Sequence, residues 1–299
     1  MRVSTQILFE SGAARIGELQ SGLLKTQQQV STGRRILTPA DDPVAAARAL
    51  EVTQSQSLNT RYGVNRQHAK SALGALEGTL ASVTALMQDV KTTVIAAGNG
   101  ALSDTERGFM ATELRGRFEQ LLGLANSRDA LGNYLFSGFQ TATPAFVETA
   151  TGAQYQGDQG QRLVQVDTTR QMAVSNPGQA VFQGGGQDMF QTLNDLVTLL
   201  NTSGTTGLAA GLATANGEID LALDNVLTVR ASVGSSLQEL DALDSAGEDR
   251  NLQYSQALSD LQDLDYTQAL TRLSQQQITL EAAQRSFVKT AGLSLFNFI

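Results

Sequence analysis

The residues that could carry catalysis are three pairs of neighbouring carboxylates and one histidine. Two carboxylates placed across a cleft can hydrolyse a glycosidic bond, but residues adjacent in sequence cannot straddle a sugar. His68 falls off the heptad positions of its segment, so we expect it to face solvent without partners for acid-base chemistry. We therefore expect no catalytic and no cofactor-binding residues. The pairs are Asp41 with Asp42, Glu248 with Asp249, and Asp263 with Asp265.

Composition excludes further classes of site. The run Gly184 to Gly186 lacks the lysine of a phosphate-binding loop, since no lysine occurs between Lys91 and Lys289. Zero cysteines exclude disulfides and thiol nucleophiles, and one histidine argues against a metal site. A net charge of −8 argues against nucleic acid as a partner. No stretch approaches the ~18 apolar residues of a membrane span, so we expect no membrane insertion.

The apolar content is spread over small side chains. Apolar residues make up 41% of the 299 residues but aromatic residues only 5%, while the chain carries 37 Ala and 30 Gln. Alanine and glutamine are good helix formers. This balance favours thin helices that pack along a seam over a thick globular interior.

Heptad spacing and breakers divide the N-terminal part into helices. A first seam runs from Phe9 to Val30, and Gly33 followed by Arg34 and Arg35 is a typical helix stop. Asp41 and Asp42 can cap a second helix that begins at Pro43. That helix is predicted to reach about residue 97, with a heptad seam of seven positions from Leu73 to Val94. Ser103 and Glu106 form a capping box for a third helix, which is predicted to end near Leu131.

The rest of the chain predicts a β-rich insert followed by more helices. Residues 139–186 contain few charges, two prolines and alternating apolar stretches at 163–166 and 172–174. Helical spacing returns at Phe190, pauses from Asn201 to Gly207, and then continues to the C-terminus. The predicted fold is mainly α: an elongated antiparallel helical bundle or coiled coil of N- and C-terminal helices with a small inserted β-rich domain. The predicted segments are an assembly helix with its connector (1–42), a central rod (43–138), the insert (139–186), the rod's second part (187–258) and a C-terminal assembly helix (259–299).

The terminal helices are predicted to order on assembly. Gly12 and Thr26 interrupt the N-terminal seam, and Gln277 and Gln284 interrupt the C-terminal one, so each helix buries little apolar surface alone. The last seven residues carry five large apolar groups that a monomer could rarely bury. We therefore expect subunit contacts at both ends.

Several segments resemble the bacterial flagellin family. Residues 29–46 read QVSTGRRILTPADDPVAA, which closely resembles the signature connector of that family. Segments 132–138 (GNYLFSG), 155–158 (YQGD), 230–234 (RASVG) and 263–266 (DLDY) agree with it. The start MRVST, the segment YLFSG and the modest insert are similar to the junction members of the family. A short filament flagellin is the alternative, and an enzyme or binding protein using the insert is disfavoured.

The resemblance implies a non-enzymatic, structural role in the bacterial flagellum, in a layer between the hook-side hook-associated protein and the flagellin filament. It also implies self-association and extracellular localisation by flagellar type III export without a cleaved signal peptide. A cytoplasmic export chaperone is expected to hold the C-terminal region at Leu273, Leu280, Phe287, Leu295 and Phe296. The expected connector residues are Gly33, Arg34, Arg35, Pro39, Asp41, Asp42 and Pro43. The expected assembly residues are Ile7, Phe9, Ile16, Leu19, Leu23, Leu280, Phe287, Leu295 and Phe298.

Overall fold

The chain is mainly helical, as predicted. The computed structural model describes residues 2–204 and 206–296, with side chains for residues 7, 9–204 and 206–290. Within these ranges no helix combines the length and the apolar content of a membrane span. The helices are α1 (Arg2–Thr32), α2 (Pro43–Ala97), α3 (Asp104–Ala125), α4 (Gly178–Phe182), α5 (Met189–Asn201), α6 (Leu208–Gln262) and α7 (Tyr266–Phe296). The strands are β1 (Phe146–Thr149), β2 (Gly152–Tyr155), β3 (Leu163–Asp167) and β4 (Arg170–Ala173).

Two compact units divide the chain. One unit consists of residues 1–58 and 249–299, and the other consists of residues 59–248. Both limits fall inside long helices, at positions 58 in α2 and 248 in α6. The segment limit expected at residue 258 also falls inside α6, which continues to Gln262.

In the second unit, α2 and α6 pack antiparallel along the predicted seam. The seven α2 seam positions from Leu73 to Val94 are buried, which confirms the heptad pattern there. Arg230 of α6 pairs with Glu77 of α2 at 2.7 Å, and Lys91 of α2 pairs with Asp220 of α6. His68 is exposed, as expected.

The third helix is shorter than predicted. Its capping box is present, since the Glu106 amide donates to Ser103 Oγ while the Ser103 amide donates to the Glu106 carboxylate. The helix ends at Ala125 because Asn126 leaves helical geometry. The Asn126 side chain then bonds the amide and the carbonyl of Phe146 at the start of β1, at 2.9 and 2.8 Å. The prediction of an end near Leu131 was therefore wrong.

The insert consists of two separate antiparallel hairpins. β1 pairs with β2 and β3 pairs with β4, each as a two-stranded sheet. The short helix α4 also lies within the predicted insert. The alternating stretches at 163–166 and 172–174 correspond to β3 and β4, so the period-two pattern located that hairpin correctly.

The second unit has an aromatic core that the composition did not suggest. The Phe146 ring contacts the Phe182 and Phe190 rings at centroid distances of 5.4 and 4.9 Å. Phe118 contacts Phe190 at 5.8 Å, and Phe136 contacts Phe182 at 5.1 Å. Few aromatic residues occur in the chain, but five fully buried phenylalanines are concentrated where α3, α4, α5 and β1 meet. A thin helical seam therefore describes only part of the core.

Candidate assembly surface and helix connectors

The first unit contains the connector between α1 and α2. The chain leaves α1 at Gly33, whose φ of +70° is the left-handed conformation expected at a helix end. Its amide donates to the Gln29 carbonyl at 2.9 Å. A Cβ at this position would also lie 2.9 Å from Tyr266 Oη, so both backbone and space require glycine here. The predicted role of Gly33 as helix stop is confirmed.

Asp41 and Asp42 have different roles, although the sequence predicted that both would cap α2. Asp42 caps α2, because its Oδ1 accepts from the Ala45 amide at 3.0 Å. Asp41 instead closes the connector, since its Oδ2 accepts from the amides of Leu37 and Thr38 at 3.0 and 2.9 Å. The prediction that both residues cap α2 was therefore wrong for Asp41. Pro43 is the first residue of α2, as predicted.

Hydrogen bonds from cations and backbone amides lower the pKa of both carboxyls. The Lys25 ammonium lies 2.5 Å from Asp41 Oδ1, and its hydrogen bond, followed by that of the Thr38 amide, lowers the pKa of Asp41 to about 2. The Ala45 amide and then the Arg35 guanidinium, at 3.1 Å, hold the pKa of Asp42 below its ordinary value. Pro39 lies in the turn from Thr38 to Asp41, which the Asp41 amide closes by donating to the Thr38 carbonyl at 3.0 Å.

Arg35 binds a different helix end from the one expected. The sequence suggested that Arg34 and Arg35 complement the C-terminus of α1. Instead, Arg35 Nη2 donates to the Leu261 carbonyl in the last turn of α6 at 2.8 Å, which offsets the partial negative charge there. Arg34 forms a bridge with Asp263 through its backbone. The prediction was therefore wrong for Arg35, because its guanidinium binds the last turn of α6.

A second connector, residues 263–265, pairs with the first. The Arg35 amide donates to the Gln262 carbonyl at 2.7 Å, and the Leu264 amide donates to the Gly33 carbonyl at 3.0 Å. The buried Gln29 side chain adds a bond to the Arg35 carbonyl at 2.6 Å. The two connectors thus form one hydrogen-bonded clasp between the α1–α2 and α6–α7 turns. Sequence reasoning missed the clasp, because its bonds join residues more than two hundred positions apart in the chain.

The helices α1 and α7 pack antiparallel in the same chain. The rings of Phe9 and Phe287 lie 5.0 Å apart. Gly12 faces the same ring, and a Cβ there would lie 2.8 Å from Phe287 Cδ2. Gly12 was interpreted as a gap that weakens the seam, but it is the space that admits the Phe287 ring.

The predicted assembly and chaperone residues fall into three groups. Ile7 and Phe9 are more than half exposed. The others with described side chains are partly buried on the heptad face that includes Phe9 and Phe287: Ile16, Leu19, Leu23, Leu273, Leu280 and Phe287. The predictions for Leu295, Phe296 and Phe298 lie outside the described side chains.

A second apolar surface on α7 faces solvent. Ile278 is 66% exposed and Val288 is 69% exposed, and Leu270 is half exposed. Thr271, Ser274, Gln275 and Thr279 line a shallow groove together with Leu270 and Ile278. We call Leu270, Ile278 and Val288 the outer α7 face. These residues were not among the predicted assembly residues: Ile278 and Val288 lie off the predicted C-terminal seam, and Leu270 is the first position of that seam.

Two of the family-like segments interlock in the second unit. The Tyr155 hydroxyl lies 2.9 Å from the Phe136 carbonyl oxygen and 2.7 Å from the Asp158 carbonyl oxygen, and it donates between them. Asp158 Oδ1 accepts from the Phe139 amide at 2.9 Å. Gly138 has a φ of +69°, and a Cβ on it would collide with Asp158 Oδ1. The segments YLFSG and YQGD are therefore one structural lock.

Comparison with known protein families, sequences and structures agrees with this architecture. Residues 3–141 match the family described as bacterial flagellin N-terminal helical region. The flagellar hook-associated protein 3 of Escherichia coli K12 is 34% identical over 99% of both chains, and that of Salmonella typhimurium is 35% identical over 99% of both. A putative flagellar hook-associated protein of Vibrio parahaemolyticus superimposes with a TM-score of 0.70 at 25% identity, covering 75% of this chain and all of that one.

These matches decide between the two members of the flagellin family considered above. The full-length relatives at 34–35% identity are hook-associated proteins rather than filament flagellins, so the filament alternative is not supported. The chain belongs to the flagellar hook-associated protein 3 family.

Proposed function

We propose that this chain forms the layer that joins the hook-side hook-associated protein to the flagellin filament. It is a structural component of the bacterial flagellum, and its role in the layer is mechanical rather than catalytic. Copies of the chain associate side by side, one end of the layer accepts the hook-side protein, and the other end accepts flagellin. The observation that carries the proposal is the outer α7 face, which stays uncovered after α1 has packed on α7.

The outer α7 face has the properties of an incomplete helix seam. Leu270, Ile278 and Val288 lie on one side of the helix, away from the side that holds Phe287. Covering each such side chain contributes at most ~1.5–3 kcal/mol, so a few contacts repeated around a layer stabilise it substantially. We assign this face to contacts between copies. The heptad face of α1 and α7 is assigned to pairing of the two helices, within one copy or between neighbours.

Export precedes assembly in this proposal. The chain leaves the cell through the flagellar type III apparatus without a cleaved signal peptide, and acts outside it. A cytoplasmic chaperone holds α7 at Leu273, Leu280 and Phe287, with Leu295 and Phe296 completing the site. Because those first three residues are partly buried on the face that pairs with α1, chaperone binding and α1–α7 pairing exclude each other. The chaperone then also keeps α1 from closing on α7 before export.

The test compares two isoleucines of equal exposure. Ile278 of the outer α7 face is 66% exposed, and Ile95 of α2, in the second unit, is 65% exposed. Both are changed to serine in a motile strain that carries this chain as its sole copy. We expect Ile278→Ser to be exported normally but to reduce the fraction of hooks with filaments, and Ile95→Ser to leave that fraction unchanged. Equal filament numbers in both variants would contradict the assignment of the outer α7 face.

A second measurement separates the proposed layer from filament growth. Purified chain is added to hook ends that already carry the hook-side protein. We expect binding to stop after a thin layer, and flagellin to extend from that layer when supplied. Long filaments of this chain alone would overturn the proposal.

A further inference from the structure

The two hairpins of the insert are held by different means. β1 begins at Phe146, whose ring packs in the aromatic cluster. β3 is held along its edge by side chains of α2: Asn65 Nδ2 donates to the Gln165 carbonyl at 2.7 Å, and Arg66 Nη1 donates to the Val166 carbonyl at 3.1 Å. An exposed strand edge is thereby closed by an amide and a guanidinium instead of another strand.

Arg66 is buried, with 3% of its surface exposed, and therefore needs a counter-charge. Its Nε donates to Asp244 Oδ1 of α6 at 2.5 Å. Lys70 lies 2.5 Å from Asp244 Oδ2 and 2.7 Å from Asp241 Oδ1. Asp244 thus binds two cations, Arg66 and Lys70. Arg66 uses Nε for this ion pair and Nη1 for its hydrogen bond to β3. One guanidinium joins α2, α6 and β3.

The guanidinium occupies a notch at Gly247. A Cβ at this position would collide with Arg66 Nη2 and would lie 3.2 Å from Cζ. The backbone of Gly247 is fixed here, since its carbonyl accepts from Asn59 Nδ2 at 2.7 Å. Glycine inside a helix costs ~0.5–1 kcal/mol relative to alanine. Glycine at position 247 therefore lowers the stability of α6, and the space that the Arg66 guanidinium needs explains why glycine is present there.

We infer that Arg66 is a positioning residue that holds the β3–β4 hairpin against the α2–α6 pair, and that glycine is required at position 247 because a larger residue would displace the Arg66 guanidinium. The bidentate shape of a guanidinium is required, because a lysine ammonium cannot reach Asp244 and the Val166 carbonyl in this geometry at once. The inference does not depend on the flagellar role, because it concerns the folded monomer alone.

The decisive variant is Gly247→Ala, because helix propensity and the Arg66 contact predict opposite changes in amide exchange. Helix propensity alone stabilises α6, whereas displacement of Arg66 releases the hairpin. Gly234→Ala is the matched control, since nothing lies within 4 Å of a Cβ there and it is in the same helix. Hydrogen exchange is measured by mass spectrometry on the full-length chain, with the β1–β2 peptides as internal reference.

We expect Gly247→Ala to speed amide exchange of residues 163–173 about tenfold or more, because a charge-assisted hydrogen bond is lost. Exchange of the β1–β2 peptides should be unchanged. Arg66→Lys should give the same local effect without a substitution in α6. Gly234→Ala should slow exchange or leave it unaltered. Unchanged exchange at 163–173 in both Gly247→Ala and Arg66→Lys would overturn the inference. Equal acceleration in both hairpins would overturn it too, because the effect would then be global unfolding.

Discussion

At the residue scale, adjacent side chains of the same type have separate roles. Asp42 accepts from the first turn of α2, whereas Asp41 accepts from two amides of the connector and binds Lys25 of α1. The sequence identified both as non-catalytic carboxylates near a helix start, which is what the capping chemistry requires. It could not divide them, because only the path of residues 37–41 decides which amides each carboxylate meets.

Asp41 makes the connector sensitive to acid. Its pKa falls from 3.8 to about 2, first because of the Lys25 hydrogen bond. A depressed folded-state pKa means that the stabilisation is complete above the unfolded value and is lost as the pH falls towards the folded value. We expect Asp41→Asn to lower the urea midpoint at pH 7 relative to the unchanged chain. This difference should shrink between pH 4 and pH 2. A difference that stays constant down to pH 2 would contradict the role of the Asp41 charge.

At the element scale, the sequence predicted the helix limits that local bonds set better than those that distant bonds set. Gly33, Pro43 and Ser103 act through bonds within a few residues of themselves, so local sequence identifies them. The end of α3 at Ala125 depends on Asn126 bonding Phe146, twenty residues later. The clasp between connectors likewise joins Gly33 to Leu264. Such distant bonds leave no periodic trace in the sequence.

Pairing of α1 with α7 gives a prediction at the same scale. Phe287 contacts Phe9, whereas its neighbour Val288 is 69% exposed. We expect Phe287→Ala to weaken the pairing by about 1–2 kcal/mol, since a partly buried ring is lost. Amide exchange in α1 should then accelerate, while Val288→Ala should leave it unchanged. The pairing would be contradicted if both variants exchanged alike in α1.

At the scale of the whole molecule, composition excluded more than it specified. The absence of cysteine and the acidic balance removed several classes of site, and abundant alanine and glutamine pointed to long helices. The position of the aromatic core did not follow from the counts, because five phenylalanines scattered from Phe118 to Phe190 meet only through the fold. The outer α7 face was missed for a similar reason: a heptad pattern reports one seam, and a second exposed stripe emerges only once the first is covered.

In the proposed function, this chain holds the filament on the hook. The most direct measurement is made in a strain lacking only this chain, with hooks counted by electron microscopy and flagellin assayed in the culture medium. The proposed function predicts complete hooks without filaments, flagellin shed into the medium, and restoration of both by the unchanged chain. Filaments that remain attached in the deletion strain would contradict it.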